Sequence, residues 1–192
     1  MAAHELRTLV DELSFGEGPR WRDDTLWFSD MHNHRVVRVA TDGRTVDSID
    51  TVVEITDDDP SGLGWLPDGR LLVVAMESQQ LRRVEADGSV VVHADLSSAA
   101  RGDLNDMIIR GRRHRVRRRH GRAGAGGGEA RPRPNLPGRR RQRECAADDL
   151  SSPNGHILTD DGRTLIVAES GASRLTSFTV AADGTLSNWR TC

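Results

Sequence analysis

Four oxygen-bearing side chains recur along the chain at nearly equal intervals. They are Glu17, Ser61, Asn105 and Asn154, and the successive spacings are 44, 44 and 49 residues. Carboxylate and amide oxygens are ligands that hard cations such as Ca²⁺ prefer. Three of these side chains, Glu17, Asn105 and Asn154, therefore predict a cation site if the fold brings them together. For Ser61 a turn preceding a strand is the favoured interpretation.

Longer repeats show which elements must position these side chains. Residues 26–46, 71–91 and 165–186 each run from an apolar stretch through a polar turn to an alternating strand that ends at an Asp-Gly pair. An Asp-Gly pair between β-like runs indicates a hairpin. Four-stranded units of roughly 40 to 50 residues are typical of a β-propeller, whose inner strands surround a central channel. The predicted fold is all-β, with the four side chains at one channel mouth.

A segment of different composition stands where one repeat is missing. All 27 basic residues are Arg, and residues 110–143 hold 14 of them against one acid, Glu129. This segment has too little apolar surface to offset its ordering entropy, so residues 110–145 are predicted to be aberrant and irregular. The whole chain, 1–192, is predicted to be one partial propeller domain. With suitable codons, a one-base shift turns residues 114–119 into Thr-Ala-Tyr-Val-Gly, and we interpret the segment as frameshifted. A nucleic-acid contact is disfavoured because stacking aromatics are lacking.

Five short motifs, in their order and spacing, resemble the SMP-30/gluconolactonase/regucalcin family of six-bladed β-propeller lactonases. The motifs are GEGPRW (16–21), LWFSD (26–30), PSGLGWLPDGR (60–70), LNDM (104–107) and SPNG (152–155). The resemblance covers residues 14–109 and 146–192. It implies an incomplete arc of about four blades from a C-terminally truncated member of the family, with one blade scrambled.

The resemblance also implies roles for individual residues. Glu17 and Asn154 would bind a divalent cation, with Ca²⁺ expected before Zn²⁺, Mn²⁺ or Mg²⁺. Asn105 would hold the substrate, and Asp103 stands where animal members often have Arg. The third ligand, an Asp that is also the expected general base, would lie beyond Cys192, so no catalytic residue is predicted within the chain.

The predicted function is metal-dependent hydrolysis of sugar lactones, impaired in this chain. In an intact relative a cation would polarise the lactone carbonyl while a carboxylate accepts a proton from water. The alternative is a non-enzymatic propeller fragment or binding scaffold that self-associates through open edges. Asp106 is interpreted either as a partner of the site or as a turn former. A serine hydrolase is disfavoured because the chain has no GxSxG motif.

Two histidines in the first polar turn form a second candidate metal site. His32 and His34 lie close to Asp30 in sequence and could bind a metal. A polar turn between strands is favoured, because the other repeats have Ser, Gln and Ala there.

The chain has no apolar run of signal-peptide or membrane-span length, which predicts a cytoplasmic protein without a membrane partner.

Overall fold

The computed structural model describes residues 6–100, 102–110, 147, 150–159 and 161–192. In this part of the chain, twelve strands form three antiparallel sheets of four strands each. The strands are β1 (Gly16–Arg22), β2 (Thr25–Asp30), β3 (Arg35–Thr41), β4 (Val46–Glu54), β5 (Pro60–Trp65), β6 (Leu71–Ala75), β7 (Gln80–Val84), β8 (Val90–Asp95), β9 (Pro153–Leu158), β10 (Thr164–Glu169), β11 (Arg174–Val180) and β12 (Leu186–Thr191).

Each sheet consists of four strands that are consecutive in the sequence. Blade I contains β1 to β4, blade II contains β5 to β8 and blade III contains β9 to β12, in each case with neighbouring strands paired in chain order. This arrangement confirms the prediction of an all-β, incomplete propeller. Apart from Arg110, the predicted aberrant segment 110–145 lies outside the described residues.

Residues 102–110 were expected to include the inner strand of a further blade, but they form no strand. They run beside blade II, where the Leu104 N–H donates to the Met76 carbonyl at 3.2 Å and the Gly62 N–H donates to the Asn105 carbonyl at 3.1 Å. Two hydrogen bonds at separate points do not make a ladder. This part of the prediction was wrong, because the segment packs against β5 without pairing continuously with it.

The Asp-Gly pairs form the predicted hairpin turns between the third and fourth strands of each blade. Gly43, Gly88 and Gly184 have φ values of 82°, 83° and 100°, a region that glycine adopts without steric cost. The preceding aspartates accept hydrogen bonds from backbone N–H groups beyond the turn, as when the Asp42 carboxylate accepts from Thr45 at 2.7 Å. Local sequence therefore fixes these turns.

A buried carboxylate links separate segments of blade I. Asp30, at the end of β2, is fully buried. It accepts hydrogen bonds from the Ser14 N–H at 2.9 Å, the Asn33 amide at 2.8 Å and the Arg35 guanidinium at 2.8 Å. Burial by itself would raise the pKa of Asp30, but these hydrogen bonds outweigh it and hold the pKa below its usual value. The charge therefore ties the segment before β1 to the start of β3.

Glu169 performs the same task at the end of β10 in blade III. Its buried carboxylate accepts hydrogen bonds from the Arg174 guanidinium at 2.8 Å, the Ser151 N–H at 2.8 Å and the Thr176 hydroxyl. These donors, Arg174 foremost, lower the pKa of Glu169 to about 2. The acid that follows the apolar run in two of the repeats is thus a structural residue.

Replacing Glu169 by Gln is expected to destabilise the fold most at neutral pH and least in acid. The pKa of Glu169 falls from 4.5 to about 2 on folding, so its contribution is complete above pH 4.5 and is lost as the pH falls towards 2. Urea unfolding of the wild type and Glu169→Gln across this range measures the effect. A stability difference that stays constant down to pH 2 would contradict this role.

The core lies between blades I and II. Val36, Val53 and Leu63 belong to one buried cluster that joins the two blades. Beside this cluster, the rings of Trp27 and Trp65 meet edge to face at 5.4 Å, a geometry that aromatic pairs favour. The packing fixes blade I relative to β5.

Replacing Gly62 by Ala is expected to destabilise the protein by about 1–3 kcal/mol. A Cβ atom there would lie 2.6 Å from the Met107 nitrogen and 2.7 Å from the Asp106 Cα. Both are backbone atoms that cannot move aside cheaply. Urea unfolding measures the loss, and Gly102→Ala is the matched control because a Cβ at Gly102 meets no atom within 4 Å. Equal stability of the two variants would show that residues 102–110 do not pack closely on β5.

Candidate functional site

A cavity of about 840 Å³ lies where β1, β5 and β9 face residues 106–109. Glu17 on β1 and Asn154 on β9 both line it. These side chains come from blades I and III and are far apart in sequence. The structure therefore brings the two predicted metal ligands to one cavity.

The position of Glu17 depends on a close approach between β1 and β5. Gly18 is buried with a φ of +57°, and a Cβ atom there would lie 2.8 Å from the Ser61 carbonyl oxygen. The regular pairing of β1 with β2 is interrupted between Glu17 and Arg20, and such irregularities commonly redirect a side chain. Ser61 is itself buried in β5 and does not line the cavity. The GEGP motif thus places Glu17 at the cavity.

Asn154 lies near the start of β9 and is half-buried. Its strand partner is Ala168, and the register of β9 against β10 shifts between Val167 and Ala168. Gly155 follows with a φ of +64°, which glycine tolerates better than other residues. The PNG motif therefore combines an amide side chain with a backbone that turns at the cavity wall.

The two predicted substrate-binding residues do not line the cavity. Asn105 is half-buried, and its Oδ1 atom is buried without a hydrogen-bond partner among the described residues. Asp103 is exposed. Neither belongs to the residues that line the cavity, so their roles towards a substrate remain predictions.

Asp106 is the cavity residue whose importance the sequence left open. Its side chain is only 3% exposed and forms an ion pair with Arg20. The His156 N–H donates to the Asp106 Oδ2 at 3.3 Å, and the His156 Nδ1 lies 3.7 Å from the same oxygen. Burial acts to raise the pKa of Asp106, but His156 and the charge of Arg20 hold it below its usual value. The LNDM motif was the available signal, because its acid directly precedes the apolar residues 107–109.

Arg20 extends the contacts of Asp106 to three parts of the fold. It starts from β1, and its Nε donates to the Leu63 carbonyl at 3.1 Å in β5. Its Nη2 donates to the Met107 carbonyl at 2.8 Å as well as to Asp106. One guanidinium therefore joins blade I, blade II and residues 106–107.

The donors at the cavity fit a hard cation in part. Glu17 offers a carboxylate and Asn154 an amide oxygen, which are donors typical of Ca²⁺, Mg²⁺ or Mn²⁺ sites. The Asp106 carboxylate is already paired with Arg20. Among the described residues, no group of three or more His, Cys, Asp or Glu side chains is arranged to hold a metal ion. This part of the chain offers two ligands to a cation.

His32 and His34 face Asp59 and not Asp30. The Nδ1 atoms of His32 and His34 lie 3.8 and 3.4 Å from the Asp59 carboxylate oxygens, and the His34 Nδ1 is 2.9 Å from the Asp58 carbonyl oxygen. These residues line a second cavity of about 450 Å³. The Asp30 carboxylate is occupied within blade I, so the three residues suggested by sequence proximity do not form one site.

Three blades around a shared inner cavity define an incomplete β-propeller. The sequence profile described as the SMP-30/Gluconolactonase/LRE-like region matches residues 15–192. The chain belongs to this family.

Two solved structures show the same fold at low sequence identity. The gluconolactonase XC5397 from Xanthomonas campestris is 20% identical, with a TM-score of 0.62 over 94% of this chain and 63% of that protein. A protein assigned as a gluconolactonase, solved by a structural genomics consortium, is 19% identical with a TM-score of 0.64 over 96% of this chain and 66% of its own. The chain thus spans just under two thirds of each. No curated protein matches its sequence.

None of the helices in the described residues is long and apolar enough to cross a bilayer.

Proposed function

We propose that the cavity binds a divalent cation through Glu17 and Asn154 and hydrolyses sugar lactones. The observation that carries this proposal is that both side chains line one cavity although they come from different blades. Membership of the SMP-30/gluconolactonase family supports the lactone as the class of substrate. Ca²⁺ is the cation expected first, because both donors are oxygens.

A bound cation supplies Lewis acidity towards the carbonyl group of the lactone. Glu17, near the start of β1, and Asn154, near the start of β9, would bind the cation. Apolar side chains, which include Trp21, Ile108 and Ile157, form part of the cavity wall. Asn105 does not line the cavity, and the proposal that it orients substrate hydroxyl groups rests on the family motif LND alone.

Among the described residues, neither carboxylate at the cavity is free to act as a general base. Glu17 and Asp106 are the only carboxylates among the described residues that line it. Glu17 is assigned to the cation, and Asp106 is paired with Arg20. General acid–base catalysis contributes about 10²- to 10⁴-fold, so we propose that lactone turnover by this chain is slow.

Calorimetric titration with Ca²⁺, Mn²⁺ and Zn²⁺, followed by measurement of gluconolactone hydrolysis against the spontaneous rate, tests the proposal. The wild type is expected to bind a divalent cation and to show a small, metal-dependent rate. Asn154→Ala is expected to weaken binding at least about tenfold, because a neutral ligand is lost. A wild-type chain that binds none of these ions would overturn the proposed site.

A non-enzymatic binding scaffold is the second candidate function, and exposed apolar side chains on blade III favour it. Ile157, Leu175 and Trp189 are each at least half exposed, and such a surface is typical of an interaction site. Self-association of this surface predicts a mass that rises with protein concentration in light scattering. Leu175→Asn should reduce the rise, and a constant monomeric mass would contradict the scaffold.

A further inference from the structure

Two residues that follow the proposed cation ligands meet at a single carboxylate. Arg20 is three residues beyond Glu17 on β1, and His156 is two residues beyond Asn154 on β9. Asp106 pairs with the Arg20 guanidinium through Oδ1 and accepts the His156 N–H through Oδ2 at 3.3 Å. The two oxygens of Asp106 therefore hold different strands.

This bridge is the polar connection between the two strands that carry the ligands. β1 pairs with β2, and β9 pairs with β10. Within the part of the chain that the structure describes, no hydrogen bond runs directly from β1 to β9. Residues 106 and 107 occupy the space between them and contact Arg20 on one side and His156 on the other.

Asp106 forms this bridge as a buried, charged side chain. Its side chain is 3% exposed and that of Arg20 is 24% exposed, so the pair is largely shielded from solvent. A buried carboxylate that loses its partner leaves an uncompensated charge. The Met107 N–H also donates to the Asp106 Oδ1 at 2.8 Å, which fixes the rotamer of the carboxylate.

We propose that Asp106 is a positioning residue that joins β1 to β9 and thereby sets the approach of Glu17 to Asn154. The part of this inference that concerns a cation rests on the proposed function. Asp106 acts through Arg20 and His156 and not as a ligand, because both of its oxygens are already engaged. Residues that orient metal ligands change metal affinity when they are replaced.

Terbium luminescence, excited through the tryptophans of the protein, is the first test. Asp106→Asn and Arg20→Ala are each expected to weaken Tb³⁺ binding by about 10- to 100-fold. The double variant should bind no more weakly than the weaker single variant, because both replacements break one bridge. Glu85→Gln is the matched control, since it also removes a carboxylate paired with Arg but lies in blade II and does not line the cavity, and it should leave Tb³⁺ affinity unchanged.

Hydrogen exchange at the His156 amide is the second test and requires no cation. Asp106→Ala removes the acceptor of this N–H and should accelerate its exchange at least about tenfold, while amides of β6 and β7 keep their wild-type rates. Asp106→Asn retains an acceptor oxygen and covers the case in which Asp106→Ala does not fold. In that variant the loss of the Arg20 pair should still accelerate His156 exchange.

The outcomes separate the inference from the proposed function. If the wild type binds Tb³⁺ and the Asp106 and Arg20 variants bind it equally well, Asp106 does not position the ligands and the inference is overturned. If the wild type binds no Tb³⁺, the cation site is overturned, and His156 exchange alone decides whether Asp106 joins the strands. Unchanged His156 exchange in both Asp106 variants would refute the bridge.

Discussion

Replacing Glu17 by Gln is expected to lower the affinity of the chain for Ca²⁺ by about 10²-fold, because ligand charge is a main determinant of Ca²⁺ affinity. Among the described residues, Glu17 is the cavity carboxylate that has no Arg partner, whereas Asp106 is paired with Arg20. Gln keeps the size and one oxygen donor but removes the negative charge. Calorimetric titration of both proteins measures the change.

The matched control for this prediction is Glu77→Gln. Glu77 is exposed and lines the second cavity, near His32 and His34. Its replacement removes the same charge from the chain and leaves the first cavity intact. Similar losses of Ca²⁺ affinity in the two variants would show that general charge attracts the ion, and Glu17 would then have no special role.

Replacing Asp30 by Ala is expected to reduce the free energy of unfolding by about 3 kcal/mol, the lower end of the range for breaking a buried ion pair. The side chain of Asp30 is fully buried, while that of Arg35 is 35% exposed. Removal of the carboxylate leaves the N–H groups of Ser14 and Phe15 without their acceptor. Urea unfolding of the wild type and the variant measures the loss.

Asp50→Ala provides the control within the same sheet. Asp50 on β4 pairs with Arg38 on β3 at 2.9 Å, and both side chains are nearly half exposed. Exposed pairs contribute about 0–1 kcal/mol, so this variant should remain close to the wild type. A loss as large as that of Asp30→Ala would mean that burial does not distinguish the two aspartates.

Acidic side chains of the repeats have two different roles in this fold, one in holding strands together and one at the cavity. Asp30 and Glu169 end the second strands of their blades and are held by backbone N–H groups and Arg. Glu17 lies on an inner strand at the cavity. These acids differ in the number of hydrogen-bond donors around their carboxylates, and that number depends on the strand on which the acid lies.

The sequence was sufficient for features that depend on local spacing. Each Asp-Gly pair requires only a few neighbouring residues to form its turn, and alternation along the repeats determines which strands pair as hairpins. Equivalent positions in successive repeats also placed Glu17 and Asn154 on inner strands. Repetition of one local unit therefore predicted the propeller, and both residues line one cavity of it.

The contacts between blades were decided only by the tertiary structure. Arg20 and Asp106 are 86 residues apart, and no local pattern links them. The same holds for His34, whose neighbour Asp59 lies in the connection between β4 and β5. Repeat spacing shows which strands are inner ones, but the partner of a long side chain depends on the packing angle and register of adjacent blades. Those quantities arise from side chains that meet only when the chain has folded.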